Sequence, residues 1–138
     1  MNATILSQDQ MAIATEDDIV LVRTKARELA ERLGFDPFAT AAIVTASSEL
    51  GRNVWRHAGQ GRASFTIVER GGRVGLRIDF EDDGPGIADI ERALAGGNST
   101  VQSLGLGLAG SRRLADEFTL ESVVGKGTLV SFTKWKRR

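Results

Sequence analysis

An α+β two-layer sandwich, with a mostly antiparallel sheet covered on one face by helices, is the fold class this sequence predicts. Three observations predict it. An apolar stripe at helical spacing runs through Ile19, Val22, Ala26, Leu29 and Leu33. Around Gly71-Gly72 the flanking residues alternate so that apolar meets apolar and polar meets polar. The end of the chain reads as a second hairpin, Phe118 to Val123 and Thr128 to Trp135. Helices on one side of such hairpins make two layers around one core.

Residues 1–8 are expected to form a flexible N-terminus, and 9–138 a single domain. Met11 to Ala14 reads as a short strand. Thr15 is placed to cap the following helix, with Asp18 where a capping-box acid sits. Gly34 ends that helix. Asp36-Pro37 then starts another in the favoured order of cap and first-turn proline, and it runs to about Ala58.

A two-residue turn at Gly71-Gly72 pairs Arg70 with Arg73. Counting outward pairs Ile67 with Leu76, Phe65 with Ile78 and Ala63 with Phe80, while Thr66 meets Arg77 and Ser64 meets Asp79. One face of this hairpin is expected to be buried and the other wet. A short helical piece near Asp89 to Ala95, a polar connection from Gly96 to Ser103 and a third helix from Leu104 to Asp116 follow.

Composition bounds the function. The 138 residues are 41% hydrophobic and 26% charged with zero formal net charge, an ordinary soluble composition. No overall field favours nucleic acid or a membrane surface, and the basic Lys134 to Arg138 run is too short to alter that. With no cysteine and a single His57, disulfides, thiolate sites and histidine-rich metal sites are excluded. No signal peptide or apolar span is legible, so the default expectation is a cytoplasmic protein.

Four short blocks carry chemistry. In the first, Glu49, Asn53 and His57 share a helix face at i, i+4 spacing, bordering the core stripe of Ala46, Leu50 and Val54. The amide oxygen of Asn53 suits Mg²⁺, and Glu49 can accept a proton from a hydroxyl. The competing reading is a solvated helix border with Glu49 paired to Arg52. In the second block, Asp82 continues the parity of Val74, Leu76, Ile78 and Phe80, which aims a carboxylate at the covered face. Such a group needs a partner, and the exocyclic amine of adenine is one. Gly84 and Gly86 let backbone approach a flat ring, although Asp, Gly and Pro also make plain acidic turns.

The third block, Gly105 to Gly110, is a literal G-x-G-x-x-G. The dinucleotide-binding reading fails because no buried strand precedes it and too little chain follows for further β-α-β units. What remains is a glycine-rich turn entering a helix, suited to phosphate. The fourth block, Gly125-Lys126-Gly127-Thr128, is no Walker loop. It reads as a hairpin turn, with Thr128 sharing inward parity with Val130 and Phe132.

In this order the four blocks resemble the Bergerat-fold (GHKL) ATPase and kinase superfamily, which includes DNA gyrase, MutL and histidine-kinase catalytic domains. The resemblance implies Glu49 as catalytic base, Asn53 as Mg²⁺ ligand and Asp82 as adenine reader. Gly84, Gly86, Gly105, Gly107 and Gly110 would line or shape the ATP pocket, with Thr128 near the base. No phosphoacceptor helix pair precedes the first block, which separates the chain from histidine kinases. The short segment between the second and third blocks is similar to bacterial switch and anti-sigma serine/threonine kinases, above all the switch kinases of the stressosome. Matching features are Thr15 to Val20, Ser48 to Asn53, Ser99-Thr100, Asp116-Glu117-Phe118 and Thr133-Lys134-Trp135.

That resemblance implies an ATP- and Mg²⁺-dependent kinase acting on STAS-domain scaffold or antagonist proteins. Once released, it would activate a PP2C-type phosphatase in a partner-switching stress response. Alternatives are an anti-sigma factor or non-catalytic ATP-binding partner switch, and a plain ATPase. Two departures stand out. Ser103 replaces a glycine common among relatives, and no Arg or Lys lies from Ala93 to Ser111. Which cation, if any, faces the transferred phosphate is left open by the sequence, with Arg52, Arg56 and Lys126 as the candidates.

Overall fold

The computed structural model describes residues 3–95 and 107–137. Its described elements run β1 (Thr4–Ile13), α1 (Asp17–Leu33), α2 (Pro37–Ala58), β2 (Gly61–Arg70), β3 (Arg73–Asp82), α3 (Ile90–Ala95), α4 (Leu108–Leu114), β4 (Glu117–Val123) and β5 (Gly127–Trp135). The strands form one antiparallel sheet in the order β1-β2-β3-β5-β4. Val22, Ala26 and Leu29 of α1 and Ile43, Leu50 and Val54 of α2 share a core with Phe65, Ile78, Phe80 and Phe132 of the sheet. The α+β two-layer sandwich is therefore the observed class.

The β2–β3 hairpin has the expected register at every pair named above, from Arg70↔Arg73 to Ala63↔Phe80. Its uncovered face is less wet than alternation alone implies. Thr66 and Val68 are buried there, and Gln8 Nε2 donates to Thr66 Oγ1 at 3.2 Å.

Three boundaries are corrected. The expected flexible N-terminus gives way from Thr4 onward to β1, which pairs along β2 with a register shift between Ile5 and Ser7. Its polar side chains hold it. Gln10 Nε2 donates to Ser64 Oγ at 3.1 Å, and Asp9 pairs with Lys25 of α1 at 2.8 Å. The α1 cap is Glu16 rather than Thr15. Asp18 nevertheless reaches back, accepting the Ala14 and Thr15 N–H groups at 2.8 and 3.0 Å. Those two bonds hold the Asp18 carboxyl below the usual aspartate range. The helix expected to reach Asp116 stops at Leu114, because Asp116 is already tied to β5. Its N–H donates to Thr133 O at 3.0 Å, and its Oδ2 accepts the Trp135 N–H at 2.7 Å.

Other signals act as read. Gly34 takes the left-handed conformation that ends α1, and Asp36 Oδ1 caps α2 through the Ala39 N–H at 2.7 Å. At the far end of the sheet, the Trp135 ring lies over Gly75, where a Cβ would come within 2.6 Å of Cε3. Trp135 Nε1 donates to Glu117 Oε2 at 2.6 Å, and Arg70 donates to the same oxygen at 2.9 Å.

The Trp135 bond first, then Arg70, holds the Glu117 carboxyl below its ordinary 4.5. A lowered carboxylate stabilises the fold fully above its unfolded value and loses that contribution as pH falls through the folded one. Glu117→Gln is therefore expected to lower Tm most at neutral pH. The difference from wild type should shrink as pH falls below 4.5, read by thermal melts across that range.

Candidate functional site

A cavity of about 600 Å³ opens between α2, the end of β3, the start of β5 and α4. That volume suits a drug- or nucleotide-sized ligand. Phe80, Leu50, Val54 and Val130 supply apolar walls, and Asn53, Asp82 and Thr128 bring polar groups to them.

The polar wall follows from strand register. Asp82 is the last residue of β3, and its parity with Ile78 and Phe80 turns it towards the covered layer, where it is 9% exposed. Across the ladder Asp82 pairs with Thr128 of β5, so both meet on the same face. Asp82 Oδ1 accepts the Gly84 N–H at 2.9 Å, closing an Asx-type turn. That bond fixes the carboxylate beside the cavity.

The loop after Asp82 is strapped to the β4–β5 turn. Gly125 N donates to Pro85 O at 2.9 Å, and Ile87 N donates to Ser122 Oγ at 2.7 Å. Gly86 has φ 77°, and a Cβ there would lie 2.5 Å from Val123 O. Gly127, at φ 129°, passes so close to Asp82 that a Cβ would sit 2.0 Å from its carbonyl oxygen. These two positions need glycine for chain-on-chain contact. Gly84 does too, since its Cβ would meet Ala58 at 2.6 Å.

On α2, Asn53, Arg56 and His57 line the cavity, and both Arg56 and His57 are exposed at the helix end. Glu49 stands one turn earlier, outside the lining. Its Oε1 accepts from Arg52 Nη1 at 2.8 Å, with the Glu49 side chain 16% exposed. The intrahelical pair weighed from the sequence is thus present. Of the cations considered for transferred charge, Arg56 alone reaches the cavity among the described residues. Arg52 is engaged by Glu49, and Lys126 is exposed in the β4–β5 turn.

The structure therefore brings Asn53, Asp82, Gly86, Gly107 and Thr128 to one cavity. Gly107, at φ 81°, precedes α4, and Gly110 is buried within that helix. Gly105, Ser103 and Ser99-Thr100 lie outside the described residues. Sequence reasoning missed Ser122, whose Oγ touches Ile87 N, Gly127 O and Thr128 Oγ1. Counting outward from the closing turn pairs Ser122 with Thr128, a signal open to the same argument as the first hairpin.

The donor set also tests Mg²⁺. Among the described residues no group of three or more His, Cys, Asp or Glu gathers into a metal cage. Among the described lining residues Asn53 brings the one side-chain amide oxygen, beside the carboxylates of Asp82 and Asp89. That fits Mg²⁺, which keeps several waters and takes phosphate oxygens, and it does not fit a metal needing a full protein cage. No described helix is long and apolar enough to cross a membrane.

Comparison with known proteins agrees with this geometry. Residues 13–134 match the histidine kinase-like ATPase domain family. The serine/threonine-protein kinase RsbT of Bacillus subtilis is 46% identical over 130 residues, covering 94% of this chain and 98% of that one. An anti-sigma F factor of Thermoanaerobacter sp. is 33% identical over 101 residues, 69% of each chain. In fold, the chain is similar to the RsbU and RsbW domains of Rv1364c from Mycobacterium tuberculosis. That likeness has a TM-score of 0.64 at 21% identity, and covers 94% of this chain and 33% of the other. The SiaB-SiaC complex of Pseudomonas aeruginosa gives a TM-score of 0.54 at 12% identity, covering 95% and 90%. The chain belongs to the histidine kinase-like ATPase domain family and, within it, to the RsbT-type serine/threonine-protein kinases.

Proposed function

We propose that this chain is a Mg²⁺-dependent protein serine/threonine kinase that takes ATP into the cavity between α2, β3 and β5. The observation that carries the reading is the register pair Asp82 and Thr128, set into the wall of a cavity that Asn53 also lines. Likeness to a serine/threonine-protein kinase along almost the whole chain supports it. The acceptors are Ser or Thr residues of STAS-domain scaffold or antagonist proteins in the cytoplasm. Their phosphorylation releases the kinase to activate a PP2C-type phosphatase in a partner-switching stress response.

In this mechanism Asp82 accepts a hydrogen bond from the adenine amine, with the Gly84 N–H holding its other lone pairs in place. Gly86 and Gly107 shape the cavity, Gly84 shapes the turn after Asp82, and Gly110 is buried in the helix that follows Gly107. Asn53 would hold Mg²⁺, which when bound neutralises charge on the phosphates. Glu49, held by Arg52 one turn from Asn53, takes the proton of the attacking hydroxyl. As that oxygen bonds to the γ-phosphorus, the bond to the ADP oxygen breaks, and the exposed Arg56 faces the charge in transit.

One observation favours a second reading, a non-catalytic ATP-binding partner switch of anti-sigma type. Glu49 is engaged by Arg52 and does not line the cavity. Both readings require ATP. Titration calorimetry with ATP, with and without Mg²⁺, is expected to show binding that weakens when the metal is chelated. Absence of ATP binding would contradict both.

A further inference from the structure

Ser122 is a junction in the wall beside Asp82. Its Oγ accepts the Ile87 N–H at 2.7 Å, lies 3.0 Å from Gly127 O and lies 2.9 Å from Thr128 Oγ1. A hydroxyl has one proton and two lone pairs. A carbonyl can only accept, so the bond to Gly127 O uses the Ser122 proton. The remaining Ser122 lone pair must then receive the Thr128 proton. The opposite arrangement, with Ser122 donating to Thr128, forfeits the Gly127 bond. Satisfying all three contacts leaves Thr128 Oγ1 with lone pairs only. Its cross-strand partner Asp82 is, as a carboxylate, acceptor-only as well.

We infer that Ser122 is a positioning residue that fixes Thr128 as a hydrogen-bond acceptor. The Asp82–Thr128 wall thereby selects a 6-aminopurine over a 6-oxopurine. The inference rests on the nucleotide reading above and names how its base specificity is built. An amine brings two donors to this wall. A carbonyl in the same place opposes lone pairs to lone pairs and leaves buried polar groups unpaired, the situation in which hydrogen-bonding sites discriminate most strongly.

The test is calorimetric affinity for ATP and GTP in wild type, Ser122→Ala, Ser122→Thr, Thr128→Val and the Ser122→Ala/Thr128→Val double variant. Wild type is expected to prefer ATP by at least about a hundredfold. In Ser122→Ala the Thr128 hydroxyl is free to turn and donate, so the ATP/GTP ratio falls by about tenfold. Ser122→Thr, which keeps the hydroxyl, restores the ratio. Placed on Thr128→Val, Ser122→Ala changes the ratio no further, because its effect passes through Thr128.

Equal loss of both affinities in Ser122→Ala, with the ratio intact, would reduce Ser122 to a structural strap and overturn the inference. Wild type that binds ATP without preference over GTP would overturn it too, while leaving the ATP site standing. Binding of neither nucleotide would remove the ATP reading and this inference together. Should Ser122→Ala fail to fold, Thr128→Val alone carries the test. Its ratio must drop, and an unchanged ratio overturns the inference.

Discussion

Asn53→Ala is expected to lower phosphoryl transfer to the acceptor protein by at least about a hundredfold, as removal of a metal ligand from the reacting phosphates demands. The fold should survive. Asn53 is half-buried on α2 with its side chain at the cavity, and Ala is the better helix former by several tenths of a kcal/mol. The thermal midpoint should therefore hold or rise while activity collapses. Initial rates and melts on the same preparation read both. Full activity in Asn53→Ala would end the assigned metal role. Loss of activity together with a fallen midpoint would show that Asn53 supports the fold instead.

Asp82→Asn is expected to weaken ATP binding by about ten- to a hundredfold, the range of a hydrogen bond to a charged acceptor. The variant is well matched in size. Its amide oxygen can still accept the Gly84 N–H that Asp82 Oδ1 accepts at 2.9 Å, so the turn is preserved. What changes is the other half of the group, where an amide offers donors in place of lone pairs. Titration of ATP into the variant measures the effect. Unchanged affinity would take Asp82 out of the adenine site.

These expectations rest on features that differ in how plainly the sequence shows them. The β2–β3 register was legible because Gly71-Gly72 leaves one tight turn and both strands alternate strongly around it. The inward aim of Asp82 follows from the same parity. β1 was not legible over Thr4 to Gln8, because its two apolar residues, Ile5 and Leu6, are adjacent and both exposed, so no alternation marks a buried face. Its pairing depends on amide–hydroxyl contacts and an ion pair with α1, partners that lie far away in the chain.

The end of α4 was missed for a related reason. Nothing local says that Asp116 is pinned by the Trp135 backbone.

In the candidate site, Asp82 and Thr128 were each legible as inward-facing residues. That they stand opposite one another was not, since it depends on β5 lying between β3 and β4 in the sheet. Glu49 had two readings, general base or partner of Arg52. The sequence could not separate them, and the salt bridge at 2.8 Å makes the second a fact without removing the first. The glycines were legible as backbone approaches, although Gly84, Gly86 and Gly127 make room for the protein's own atoms. Ser122 carries no signal as a lone serine in a short strand; its pairing with Thr128 emerges only when the closing hairpin is counted outward, as the first one was.

The most direct test is transfer of label from γ-labelled ATP, with Mg²⁺, to a purified STAS-domain partner. The account predicts label on a Ser or Thr of the partner, and none when that residue is changed to Ala or when Asn53→Ala replaces the wild-type chain. Free phosphate released without a partner, or ATP bound with no label moving, would contradict it.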